Sequence, residues 1–469
     1  MKQFAKYVAL IAILSSTFTT TLNTSMTRIA NPLLQDEFAL GYSELTWVVN
    51  SYQIVYAILL PVFGQIGDKF GRRKLLMAGL LVFGAGSLLC GLSWNYASLV
   101  AFRVLQGAGA AMVFPNGVAL ALGIFPEEHR GKVMGIWGMA VSLGSVTGPS
   151  IGGAVVNLWG WKAVFLVNVP LLVVALLAIL FTIKSDSVSP KEFKFDLLGT
   201  AMLSVVLVSL VCGIQSGADN GWSTPGTLIW LAVFAVALPL FVRAEKTAAE
   251  PVIDMSLLTN KVFISGMYCG GMHLVALQGM QFLMPLFMGN VLGMDPLTIG
   301  VMMIPQAGIR MFISPLAGFL EDKFTCKFPI TLGIIVRTIG LVGYAFMTPS
   351  VSTALLTVLL LVDGTGAALI WAPAMNSVLR ASTQDKASSV TGVFNMLRFI
   401  MGVIGVVLVG LVLDAFSVEG FTANAPVPGY FQAYLMLAIF TGTGLLWIRY
   451  LMPKRETSPV SAASTAGGN

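Results

Sequence analysis

Fourteen apolar runs, most of them about twenty residues long, follow one another along the chain with short polar segments between them. Their limits are 7–30, 44–64, 75–93, 97–120, 131–153, 162–183, 196–214, 227–243, 262–287, 298–319, 329–348, 353–377, 389–413 and 429–451. Runs of this length cross the hydrocarbon core of a bilayer as helices. In lipid each run must satisfy its own backbone hydrogen bonds, and the two-residue alternation of a membrane barrel is absent. The pattern therefore predicts an all-α polytopic membrane protein with fourteen transmembrane helices.

Composition closes off the soluble alternatives. Of 469 residues 56% are apolar and 10% charged, with a mean hydropathy of +0.85; so few charges cannot clothe globular domains of this total length. The net charge of +6, from 27 Lys and Arg against 21 Asp and Glu, is an orientation signal and not a nucleic-acid footprint, because the cations sit in short alternate loops. Lys69, Arg72, Arg73, Lys74, Arg130, Lys132, Lys184, Lys191, Lys194, Arg243, Lys246, Lys261, Lys323, Lys327, Arg380 and Lys386 fall on one side, with both termini. The opposite loops carry Asp36, Glu37, Asp219, Asp295 and Glu419, with Lys162 as the exception. Both ends of the chain are thereby assigned to the cytoplasm and the protein to the cell (inner) membrane. Lys2 and Lys6 precede a run too long for a signal peptide and without a convincing cleavage site, so it reads as the first span. Residues 455–469, rich in Ser, Ala and Gly, read as a disordered tail. Four scattered cysteines offer neither a disulfide framework nor a metal spacing, and no cofactor is expected.

A long-range repeat organises the spans. Gly64-Gln-Ile-Gly-Asp68-Lys69-Phe70 returns as Gly318-Phe-Leu-Glu-Asp322-Lys323-Phe324 after about 254 residues, and Gly107-Ala-Gly-Ala-Ala111 returns as Gly364-Thr-Gly-Ala-Ala368 after about 257. Two independent motifs with nearly the same shift point to parallel halves. The division expected is a six-helix bundle over 1–194, a two-helix insert over 195–250 and a second six-helix bundle over 251–454.

The same residues carry a family resemblance. Gly64 through Lys74 resembles the loop between the second and third helices of the major facilitator superfamily, and Arg103-Val-Leu-Gln-Gly107-Ala-Gly109 its fourth-helix motif. Gly144-Ser-Val-Thr-Gly148-Pro149-Ser-Ile-Gly152-Gly153 resembles the fifth-helix motif of its antiporters. Trp161 through Pro170 and Pro285 through Pro305 are similar to its fourteen-span drug:proton antiporter branch. The resemblance implies proton-coupled export of amphipathic compounds by alternating access, with protons, a small amphipathic substrate and lipid as partners, a monomeric carrier and no nucleic acid. It also implies gating roles for Asp68, Arg72, Arg73, Asp322 and the fifth-helix residues Gly144, Gly148, Pro149, Gly152 and Gly153, and a proton-coupling role for Arg103.

Charges within spans are costly and face a cavity or a partner. Arg28, Arg103, Arg310, Arg337, Asp363 and Arg398 are such residues. Asp363, as the acid at mid-membrane depth, is the expected proton-coupling residue, with a permanent ion pair to Arg337 or Arg398 as the plain alternative. Asn23 stands where the first-helix motif usually carries an acid. Five arginines against one aspartate favour anionic, zwitterionic or neutral cargo over cations, so export or exchange of an anionic or zwitterionic metabolite or lipid is the second expectation. Tyr52, Gln53, Gln106, Asn116, His273, Gln278, Gln281, Gln306, Trp371 and Asn376 join Asn23 and the remaining arginines as candidates for the substrate cavity, interhelical hydrogen bonding being the alternative for each. No phosphate-cradling loop follows Gly131-Lys132, which argues against an ATP-driven pump. Two histidines and dispersed polar residues argue against an enzyme.

Overall fold

The computed structural model describes residues 3–125, 130–183, 197–248, 257–380, 387–416, 422 and 424–451, and every regular element among them is a helix. An N-terminal set comprises α1 (Gln3–Ile29), the short α2 (Asn31–Phe38), α3 (Tyr42–Phe70), α4 (Arg72–Gly91), α5 (Tyr96–Ile124) and α6 (Arg130–Trp159), with a sixth span split into α7 (Trp161–Leu166) and α8 (Asn168–Thr182). Then come α9 (Leu197–Asn220) and α10 (Pro225–Thr247). The C-terminal set holds α11 (Lys261–Leu286), α12 (Pro296–Met302) continued by α13 (Ile304–Phe324), α14 (Lys327–Ala345), α15 (Thr353–Arg380), α16 (Ala387–Phe416) and α17 (Tyr430–Trp447). Among the described residues, thirteen helical spans are long and apolar enough to cross a membrane. With 29 residues, α3 extends roughly 43 Å at the helical rise and is also of spanning length. The fourteen predicted runs thus coincide with helices.

Where the helices depart from simple rods, proline chemistry accounts for it. Pro305 lies in the first turn of α13, where its missing N–H breaks the run at Met303. Pro170 sits in the first turn of α8, just after the break at Val167. Pro285 lies near the end of α11, which widens into a π-helical turn over Phe287–Val291. The stretch after the first span, expected as a loop, forms α2 because Pro32 opens a helical turn and Ala39, at φ 49°, ends it. Side chains satisfy exposed first-turn amides elsewhere: Asn95 accepts the Ser98 N–H at 2.8 Å, and Asn260 those of Val262 and Phe263.

The two sets pack by one plan. α4 lies against α5 as α14 lies against α15, α3 against α5 as α13 against α15, and α1 against α6 as α11 against α16. The registers also agree. Gly109 of α5 rests on the backbone of Phe83 in α4, and Gly366 of α15 on the backbone of Arg337 in α14. Gly107 faces the carbonyl of Tyr52 in α3, and Gly364 that of Gln306 in α13. Each pair of positions is related by the shift seen in the sequence repeat, so Asp363 is the spatial counterpart of Gln106, and Gln306 of Tyr52.

Contacts between the sets gather at the end where α3 and α12 begin. Gly153 of α6 meets the Pro296 carbonyl, Gly300 meets that of Pro149, and Gly410 of α16 meets Thr46 and Tyr42 of α3. A single apolar core at this end draws Met26, Leu34, Val48 and Val156 together with Met284, Phe287, Ile299 and Val409. Toward the other end the N-terminal set keeps a core of its own, around Leu76, Phe83, Val113, Trp137 and Ile179. α9 and α10 attach at the α3–α16 seam, where Leu203, Leu207 and Phe241 pack with Ile58, Phe394 and Val403. The α6–α13 seam has no such cover among the described residues.

Candidate functional site

Between the sets, beneath the closed end, lies a small hollow. Ser25, Arg28 and Ile29 of α1, Ser145 and Pro149 of α6, Gln281 and Pro285 of α11, and Met303, Gln306, Ala307 and Arg310 around α13 form its wall. Arg28 is buried and gives one guanidinium N–H to Gln278, which in turn donates to Gln53 of α3 at 2.8 Å. This chain of three side chains joins α1, α11 and α3. Arg28 therefore points inward, not toward the outer surface.

Behind Gln306, inside the C-terminal set, Asp363 and Arg337 form an ion pair with Nε 3.1 Å from Oδ1, both side chains fully buried. Gln306 Nε2 donates to the second carboxylate oxygen at 2.8 Å. Arg337 Nη1 donates to Nδ1 and to the carbonyl of His273, each at 2.8 Å. Because a guanidinium only donates, Nδ1 is the acceptor and His273 is held neutral with its proton on Nε2. Arg337 and His273 thus belong to this inner network and not to the wall of the hollow. Gln306 belongs to both.

The N-terminal set holds an equivalent network without an acid. Arg103 donates to the Val48 carbonyl at 2.9 Å and to Gln106 at 2.6 Å, and lies over the Tyr52 ring at 4.4 Å. Gln106 Nε2 reaches Ser87 at 2.7 Å, and Asn23 accepts from Asn168 at 2.8 Å. With carbonyl oxygens and an aromatic face in place of a carboxylate, Arg103 is held by Gln106 and Tyr52, while Asn23 lies one hydrogen bond further on, accepting from Gln106 at 3.3 Å. None of these four lines the hollow among the described residues.

The remaining candidates separate. Arg398 stands among the rings of Trp371, Phe394 and Phe399 at 5.5 to 5.9 Å, a cation–π arrangement next to Tyr56 of α3, which meets Phe399 edge-on. Asn116 donates to the backbone of Phe63 and Met112 beside Pro115, tying α5 to α3, and exposed Asn376 donates to buried Glu321 at 2.9 Å, tying α15 to α13. Gly144, Gly148 and Gly152 let α6 approach Phe18, Ser25 and Met26 of α1, whereas Gly153 and Pro149 touch the other set. Arg73 donates to the Leu180 carbonyl at 3.3 Å and Arg72 is half-buried beside it in sequence. The side chains of Asp68 and Asp322 lie outside the described residues.

Two functional-looking residues were not anticipated. Asp414 of α16 accepts the backbone N–H groups of Tyr42 and Ser43 at 3.0 and 2.7 Å. Gln215 of α9 binds Ser43 and Thr46 on the same turn. The only sequence signal was an acid near the end of a span, without a hint of its partner.

Paired helical sets of one register around a polar hollow are the architecture of a membrane carrier, and residues 13–406 match the model of the Major Facilitator Superfamily. The chain belongs to the Major Facilitator Superfamily. Among curated relatives, the Multidrug resistance protein Stp of Mycobacterium tuberculosis is 32% identical over 87% of this chain and 76% of its own length. The Tetracenomycin C resistance and export protein of Streptomyces glaucescens is 27% identical over 90% and 79% respectively, and the Riboflavin transporter RibZ of Clostridioides difficile 27% over 93% of each. A bacterial homologue of the human lysosomal transporter Spinster, solved inward-facing and unoccupied, superposes with a TM-score of 0.71 at 16% identity, covering 98% of this chain and all of that one. As a Major Facilitator member, the protein is a multi-pass membrane transporter of small molecules and not an enzyme.

Proposed function

We propose that the protein is a proton-coupled exporter of amphipathic compounds, of the fourteen-helix drug:proton antiporter branch, acting as a monomer by rocking of two six-helix units, 1–194 and 251–454, around the hollow. The insert 195–250 rides on the α3–α16 seam. By the positive-inside rule the closed end faces outward, so the hollow is approached from the cytoplasm in this state. The names of the multidrug-resistance and tetracenomycin relatives support drug-like cargo.

The observation that carries the coupling is the position of Gln306, which lines the hollow and also donates to Asp363. Protonating Asp363 leaves Arg337 without its counter-ion at a site closed to water. Breaking a buried pair in this way costs roughly 3–5 kcal/mol, enough to drive side chains on α13, α14 and α15 into another arrangement. Gln306 then loses a carboxylate acceptor and reorients in the wall of the hollow. Proton and substrate so compete through one amide. Arg103, with its acid-free partners, serves in this scheme as a fixed charge that keeps the N-terminal set from taking up a second proton.

The test is uphill movement of a fluorescent amphiphile in proteoliposomes under an imposed pH gradient. The wild type should concentrate it only with the gradient present, and Asp363→Asn should abolish accumulation while preserving gradient-free exchange. Accumulation that ignores the gradient, or survives in Asp363→Asn, would refute the coupling.

A further inference from the structure

The hollow has a charge that its own walls do not answer. Arg28 and Arg310 both line it, and no lining residue among those described carries a carboxylate. Nε of each is buried and donates to nothing. The charged groups acting on Arg28 are Arg103 and Arg310, both cations. Arg310 does feel Asp363, but both oxygens of that carboxylate are engaged, by Arg337 and by Gln306. Two guanidinium groups thus share one hollow, Arg28 buried and Arg310 half-buried, each with a free Nε donor and with no carboxylate among the described lining residues to pair with, although a cation withdrawn from water is tolerated best when it is paired.

We propose that Arg28 and Arg310 form an anion-binding pair that clamps the negatively charged head, carboxylate, sulfonate or phosphate, of an amphipathic substrate. This rests on the exporter reading and narrows its cargo to anions. Guanidinium forks suit such oxygen pairs in geometry as well as charge. Ser25, Ser145 and Gln281 stand beside them to take remaining oxygens, while Ile29, Pro285, Met303 and Ala307 offer an apolar wall to the rest of the molecule. The clamp also ties the halves together, since Arg28 belongs to α1 and Arg310 to α13. An anion between them replaces a repulsion across the interface with two attractions, which favours the state closed at the α3 end. Cations meet the opposite balance.

Anilinonaphthalene sulfonate and N-phenylnaphthylamine, aromatic probes with and without a charge, test this on the whole protein in nanodiscs after subtraction of empty-disc signal. The wild type should bind the sulfonate saturably, and decanoate but not decyltrimethylammonium should displace it. Arg28→Gln and Arg310→Gln should each weaken sulfonate binding about ten-fold or more, the size of one lost charge-assisted contact. Arg310→Lys should keep it within about three-fold, and binding of the uncharged probe should change little in any variant, which also reports that the fold is intact. Absence of a saturable sulfonate site, equal loss for both probes, or displacement by the cation as readily as by decanoate would overturn the proposal. If the sulfonate does not bind but a neutral or cationic amphiphile is still pumped by a pH gradient, the anion site fails and the exporter stands. If it binds but no gradient moves it, the reverse holds.

Discussion

The carboxylate of Asp414, on α16, accepts the backbone N–H of Ser43, on α3, at 2.7 Å. A residue of one set thereby caps a helix of the other, adding a charge-assisted bond and a favourable interaction with the helix terminus. Asp414 is exposed, where interactions of this kind contribute about 0.3–1 kcal/mol, which corresponds to a shift of up to roughly five-fold in a two-state equilibrium. Asp414→Ala should therefore raise the thiol-labelling rate of a cysteine placed at Ser25 from the α3 side by several-fold. An unchanged rate would show that the cap does not hold the closed state.

Gly153 and Gly410 occupy matching places in the two cross-set contacts, on Pro296 and on Tyr42 and Thr46. Replacing either by Val should push the sets apart at that end, because Gly153 faces the Pro296 carbonyl and Gly410 the short, β-branched side chain of Thr46, neither of which can swing far aside. Spin-label distances across the α6–α12 and α3–α16 contacts should lengthen in both variants. Gly144→Ala, which meets α1 of its own set, should lower thermal stability without lengthening either distance.

Asp295 caps α12, accepting from Leu297 and Thr298 N–H at 3.0 and 3.1 Å. The Thr298 hydroxyl first, then its backbone N–H, hold this carboxyl below the usual carboxylate range. A lowered carboxyl stabilises the fold above its ordinary value near about 4, and the benefit is lost as pH falls through the value in the folded state. Hydrogen-exchange protection of Leu297 and Thr298, corrected for intrinsic rates, should hold from neutral pH down to about 4 and fall below it. Asp295→Asn should remove that pH dependence while keeping part of the cap.

Arg337→Leu alone should cost about 3–5 kcal/mol by stranding Asp363. The double replacement Arg337→Leu with Asp363→Leu should recover most of the lost thermal stability. Gradient-driven transport should remain absent. Restoration of transport in the double variant would remove the ion pair from the coupling scheme.

Much of the architecture was legible because hydropathy is a local property. A span of twenty apolar residues announces itself without reference to any other part of the chain, and the repeat of Gly107 and Gly364 even fixed the register that sets Gln106 opposite Asp363. Side-chain destinations were less legible. Tyr52 and Gln106 have the look of cavity polar groups, yet both meet Arg103, with Asn23 one hydrogen bond further on, because a buried cation must collect partners wherever the fold offers them. His273, a lone histidine in a span, reads first as a packing residue, and Arg337 donating to it supplies the partner that the sequence could not name. The Asp414 cap joins residues 371 and 372 positions apart, and no periodicity encodes a pairing across that distance.

The two helices α9 and α10 strap together only one of the two joints between the sets. The other joint, among the described residues, rests on the direct packing of α6 against α12 and α13 alone. Any sideways parting of the two sets would meet no resistance from the strap at that joint, which leaves the small-residue contacts of Gly153 and Gly300 as the fastening there.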